Sequence, residues 1–159
     1  MKYSITIYLE SKEDIIRKVE IDSQNSLLEL HILIVDSFTL HKNELASFYT
    51  TNNDLELLEE IPLFSFEENN KSLNMENTTI ESVLDIKSNR LIYIYDYMLM
   101  WRFLVELTDN KGEIKKAACI KSIGEIPKEA PEIIFDKSEK EESYEDSSYE
   151  EDSEYNELY

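Results

Sequence analysis

The chain opens on a period of two. Tyr3, Ile5, Ile7 and Leu9 alternate with Ser4, Thr6 and Tyr8, and after the polar connection SKED the same rhythm returns in Ile15, Arg17, Val19 and Ile21. Side chains on a strand point alternately to opposite faces, so each segment has one apolar face, and the pair predicts an antiparallel hairpin. The period then changes. In SLLELHILIVDSF, Leu27, Leu30, Ile34 and Phe38 recur at helical spacing, with Leu33 and Val35 widening the stripe. Ser26 and Glu29 stand in the Ser-x-x-Glu spacing in which each side chain satisfies a free amide of the first turn. The pattern predicts a main helix covering the hairpin. Thr78 and Glu81 repeat the spacing before Ile80, Val83 and Leu84, which predicts a short second helix.

Between the helices, LASFYT reads as a short strand, and LELLEEIPLFSF as an irregular apolar stretch that Pro62 keeps out of any central strand. EENNKSLNMEN reads as an exposed loop. RLIYIYDY is apolar on both faces, the mark of a strand in mid-sheet. WRFLVEL alternates again, and DNKG leads into EIKKAACI as a closing strand. The predicted class is α+β: a mixed β-sheet, β-grasp-like, with one main helix packed on one face and a short second helix. The predicted organisation is a globular domain over residues 1–126, a partly docked arm over 127–136 and a disordered acidic tail over 137–159, where apolar residues are too few to offset the entropy of ordering.

Charge narrows the partners. The formal net charge is −19 over 159 residues. The final 23 residues hold ten acids against two lysines, so the remainder is acidic as well. A polyanion or an anionic bilayer is repelled and a basic partner attracted. No segment has the continuous apolar length of a membrane span, nothing resembles an export signal, and the single Cys119 cannot form an internal disulfide; a cytoplasmic protein is expected.

Candidate chemistry is sparse. His31 and His41 are the only histidines, so a serine or cysteine nucleophile has few bases available. His31, among leucines, reads as a core-edge residue bonded to backbone, and Cys119, in an apolar strand pattern, as a buried inert thiol. No paired Cys and His spacing suits zinc, NNDLELLEE lacks the features of a calcium loop, and two isolated glycines, Gly112 and Gly124, cannot make a phosphate-cradling loop. No cofactor and no metal are expected.

Two segments read together resemble the plasmid pRiA4b ORF-3-like family. Leu27, Leu30, His31 and Ile34 are similar to its Leu-x-x-Leu-His-x-x-Ile helix signature, and Tyr95, Asp96, Tyr97, Trp101 and Phe103 to its Tyr-Asp-Tyr segment and following aromatic strand. TTIESVLDIKSNRLIYIYDY is in register with the same pattern, so the resemblance spans roughly residues 1 to 108. It is closer to a short, acidic-tailed Bacteroidetes-type branch. Where the broader family often carries Gly-Asp-Asp before the tryptophan and His-Leu-His after the helix, this chain has Met98, Leu99 and Met100, and Glu44 to Ser47. Ligand chemistry belonging to those groups does not transfer. Some members carry a resolvase label. A serine recombinase needs a nucleophilic serine among clustered arginines, whereas Ser4 lies in a strand pattern and the chain has only Arg17, Arg90 and Arg102. The family name implies no reaction.

Three functional readings follow. The first is a non-enzymatic interaction or adaptor module contacting an unknown protein, a basic one being favoured by charge, through Tyr95, Asp96, Tyr97, Met98, Met100 and Trp101; in the plainer alternative these residues fill the end of the core. The second puts function in the tail, where Tyr144, Tyr149, Tyr155 and Tyr159 could anchor an electrostatic lure or nucleic-acid mimic, against a merely solubilising end. The third, an uncharacterised enzyme, requires a pocket that gathers Asp96, Tyr95 or Tyr97, and His31.

Overall fold

The computed structural model describes residues 1–65 and 72–131. Among these residues seven strands form one sheet: β1 (Lys2–Leu9), β2 (Ile16–Asp22), β3 (Ala46–Thr50), β4 (Glu60–Pro62), β5 (Arg90–Tyr95), β6 (Trp101–Asp109) and β7 (Ala118–Ile123). Helix α1 (Leu27–Phe38) lies between β2 and β3 in sequence, and α2 (Ile80–Val83) precedes β5. The spatial order is β4-β3-β5-β6-β1-β2-β7. The α+β class holds, but the mixed pairing expected of a grasp-like sheet does not: all six neighbouring pairs are antiparallel. The reason is topological. The β2–α1–β3 crossover leaves β2 and β3 pointing the same way, but β1, β6 and β5 fill the space between them in alternating directions.

One face of the sheet carries the core. Ile5 and Ile7 from β1, Val19 and Ile21 from β2, Phe103 and Val105 from β6, Leu91 and Tyr93 from β5 and Phe48 from β3 are buried there beneath Leu27, Leu30, Ile34 and Phe38 of α1. Phe38, Phe103, Tyr93 and Phe48 form a chain of tilted rings with centroids 4.8–5.6 Å apart, a spacing that favours edge-on contact over stacking. Ile92 and Ile94 are buried on the opposite face, so β5 is enclosed on both sides, as its unbroken apolar run predicted. Pro62, which has no amide hydrogen, lies in the outermost strand β4, where none is needed on the open side.

The first helix starts as its sequence dictates: the Ser26 hydroxyl accepts the Glu29 amide and the Glu29 carboxylate accepts the Ser26 amide. The second does not. Thr79, rather than Thr78, precedes α2 and makes no side-chain cap; the Thr78 hydroxyl donates to the Asn74 carbonyl, and the Glu81 carboxylate accepts the Ser23 hydroxyl at 2.7 Å. The two helix starts instead satisfy one another. Leu27 donates to the Thr78 carbonyl and Leu28 to that of Met75, while Ile80 donates to Asn25 and Glu81 to Ser23. Free first-turn amides of each helix are thus met by the chain leading into the other, which removes the need for a local cap on α2. This interlock also corrects the reading of the loop before α2, since Asn74 and Met75 are fully enclosed.

The closing strand begins later than expected and pairs with β2, so β7 forms an edge. Ile126 and Ala130 rest half-buried against the core beyond it. The predicted tail, with Tyr144, Tyr149, Tyr155 and Tyr159, and the rest of the predicted arm after Pro131 lie outside the described residues.

Candidate functional site

Tyr95 and Trp101 are paired at the end of the β5–β6 hairpin, and Asp96 to Met100 make the turn between them. Asp96 builds that turn. Its backbone is left-handed (φ 65°), a conformation that aspartate tolerates better than most residues because its short side chain can bond to nearby amides. Its amide donates to the Leu45 carbonyl at 2.8 Å, its carboxylate accepts the amides of Met98 (3.0 Å) and Leu99 (3.3 Å), and its carbonyl accepts those of Leu99 and Met100. Asp96 is buried while doing so. With the backbone hydrogen bonds used inside the turn, the next side chains project outward: Tyr97 is 39%, Met98 90%, Leu99 56% and Met100 42% exposed.

The six predicted contact residues therefore divide. Tyr95 and Trp101 are buried at the hairpin base and Asp96 is its internal brace, so these three do not lie on the surface. Tyr97, Met98 and Met100 do reach solvent, and Leu99 joins them. The interrupted alternation was a turn signal rather than a sign of core filling. Leu45, whose carbonyl holds Asp96, is also exposed, as is Phe64, at the same end of the sheet.

Tyr97 leads to a polar cluster on the sheet face away from α1. The Ser47 hydroxyl donates to the Glu60 carboxylate at 2.6 Å and is in hydrogen-bond contact with the Tyr97 hydroxyl, which lies 3.4 Å from Glu60. Burial raises the Tyr97 pKa; the Ser47 bond opposes that rise and the Glu60 charge adds to it. Tyr49 beside them is pushed up to about 12, by burial first and then by Glu60. Both phenols stay protonated near neutrality and act as hydrogen-bond donors. Sequence reading missed this cluster, since Ser47 and Glu60 come together only through the β3–β4 pairing.

The residues required by the enzymatic reading are not gathered. His31 Nδ1 lies 2.7 Å from the Tyr93 hydroxyl, so its partner is a side chain and not the backbone as expected. Burial lowers its pKa to about 4. The Tyr95 hydroxyl donates to the His41 carbonyl on the α1 face, Tyr97 lies on the other face, and the Asp96 carboxylate is engaged in its own turn. Cys119 is only partly buried, because it faces the core from an edge strand with little beyond it. Among the described residues no group of three or more His, Cys, Asp or Glu side chains is placed to hold a metal ion, and no helix is long and apolar enough to cross a membrane.

An antiparallel sheet with one covering helix and a braced, outward-facing hairpin turn defines a small α+β protein. Compared with known families, the sequence matches the model for the plasmid pRiA4b ORF-3-like protein over residues 1–159, and the chain belongs to that family. The match runs past the motifs that first indicated it, to the last residue. No curated protein matches. Among solved structures, the chain is similar to a protein of unknown function, MM3350 from Methanosarcina mazei Go1, with 18% identity, a TM-score of 0.67 and coverage of 96% of this chain and 85% of that one. At that identity the likeness extends to the fold.

Proposed function

We propose that the chain is a non-enzymatic, cytoplasmic interaction module that uses the tip Tyr97–Met100 as its contact surface. One observation carries this reading: three consecutive apolar side chains are held in solvent by a turn whose backbone is braced from within by Asp96. Exposed apolar surface costs about 25 cal/mol per Å², and burying flexible methionine beside a rigid aromatic ring regains it at an interface. A preformed turn loses little entropy on docking. The net charge of −19 favours a partner with basic groups around an apolar recess, and disfavours direct contact with nucleic acid or an anionic membrane.

The test is affinity capture from native lysate with three baits: the full chain, the chain ending at residue 135, and M98S/L99S/M100S, each at low and moderate salt. The tip reading expects one protein retained by the first two baits and lost with the third. Retention that depends on the last 24 residues and vanishes at moderate salt would transfer the function to the acidic tail. Identical lanes for the full chain and the tip variant would refute the tip.

A further inference from the structure

Arg17 occupies an inward position of β2 and is only 7% exposed. Its Nε donates to the Ser37 carbonyl at 2.8 Å, and its Nη1 is shared among the carbonyls of Ile16 (2.9 Å), Ile123 (3.0 Å) and Gly124 (2.9 Å). The guanidinium carbon lies 4.8 Å from the centre of the Phe38 ring, a favourable cation–π distance. The end of α1, β2 and the chain after β7 are thereby tied to one side chain. Two features exceed that structural role. Nη2 and its two N–H groups have no partner among the described residues, and no carboxylate there lies within 4 Å of the group, although Arg90 pairs with Glu106 and Arg102 with Glu10. Despite the large excess of acids in the sequence, the buried arginine is, among the described residues, the one arginine left without a counter-charge. It also lines a cleft of about 600 Å³, together with Thr39, Ser122, Gly124, Glu125 and Ile126.

We infer that this cleft binds a small monocarboxylate at the Nη2 edge of Arg17. A guanidinium and a carboxylate are matched in shape and charge, and pairing is strongest where the cation is already desolvated. Thr39 and Ser122 line the cleft and carry hydroxyls that can donate to the same anion, the Ser122 hydroxyl in exchange for its 3.7 Å contact with the Cys119 thiol, and Ile126 supplies an apolar side for its carbon body. A dianion fits less well. Phe38 and Thr39, at the carbonyl-rich C-terminal end of α1, and the negatively charged Glu125 line this space, and that helix end and Glu125 each oppose a second negative charge.

The experiment uses the full chain labelled for NMR, titrated at constant ionic strength with acetate, with inorganic phosphate and with chloride. Acetate is expected to give saturable shifts of the Arg17 Nε–H and of the amides of Ser122, Gly124 and Glu125. R17K, which keeps the charge but loses the planar fork, should bind about tenfold more weakly, and E125Q about twofold more tightly as a nearby negative charge is removed. If R17K does not fold, E125Q and S122A carry the test with the guanidinium intact, S122A binding more weakly. The proposal is overturned by the absence of saturable acetate shifts, by saturation with phosphate alone, by acetate shifts that persist unchanged in R17K, or by unchanged affinity in both E125Q and S122A.

Discussion

His31 Nδ1 and the Tyr93 hydroxyl share a 2.7 Å hydrogen bond beneath α1, joining the helix to the middle of the sheet through two buried polar groups. Burial holds the imidazole neutral in the folded protein, with its pKa lowered from 6.5 to about 4. The unfolded chain takes up the proton first, so this residue's contribution is fully present above about pH 6.5 and is lost as pH falls toward 4. The loss approaches roughly 3 kcal/mol if the whole shift is expressed. Urea unfolding of the wild type and of H31Q at pH 7 and pH 4.5 isolates it from the many carboxylates that titrate nearby: the wild type should lose more stability than the variant between the two values.

The same bond sets the cost of Y93F. The ring contacts with Phe48 and Phe103 survive, but His31 Nδ1 loses its partner in a dry site, which costs about 1–3 kcal/mol. Phe48 itself is fully buried, and F48A should cost about 3–5 kcal/mol. Chemical denaturation at pH 7 should therefore rank F48A below Y93F.

Thr39 ends α1 with φ 58°, a left-handed conformation that a β-branched residue adopts only under strain and that glycine adopts freely. T39G should raise the unfolding free energy by about 1 kcal/mol, seen as a higher urea midpoint at unchanged slope. Gly124 is the opposite case. Its φ is +74°, and a Cβ there would lie 2.5 Å from the Asp14 carbonyl oxygen. Because that close approach also brings the Gly124 carbonyl to Arg17, G124A should lower the midpoint and disturb the Arg17 Nε–H resonance together.

Much of the fold was legible where one periodicity ran uninterrupted. The hairpin alternation, the α1 stripe with its Ser26 and Glu29 cap, and the doubly apolar β5 all fold as their patterns dictate, because local preference and burial agree in them. The misses are places where a distant contact decides. The Thr78 and Glu81 spacing was a genuine capping signal, overridden by the backbone bonds that bind the α2 start to the α1 start. Sheet order depends on which strands fill the gap between β2 and β3, and periodicity does not encode that.

The candidate site was half legible. YDYMLMW pointed to the right turn but could not separate its brace, Asp96, from its surface, Met98 to Met100, because the division follows from a turn opened and closed by left-handed residues, Asp96 and Met100. Arg17 did leave a mark: a charge in the inward register of Ile15, Val19 and Ile21 is an anomaly that calls for a buried partner.

If Asp96 braces the turn through its acceptor oxygens, D96N should preserve the structure and D96A should not. The asparagine side chain still accepts the Met98 and Leu99 amides and tolerates the left-handed backbone, while alanine leaves those amides unpaired, at a cost of about 1–2 kcal/mol. Amide hydrogen exchange at Met98 and Leu99 should be slow in wild type and D96N and fast in D96A.

A photo-crosslinking amino acid placed at Met98 reads directly what the tip touches in the cell. A control at Ile86, exposed at the far end of β5 beyond Arg90, samples surface with no proposed contact. Irradiation should attach the Met98 variant to a discrete protein species that the Ile86 variant does not capture. Uncrosslinked chain alone at Met98, or the same products from both positions, would contradict a contact surface at the tip.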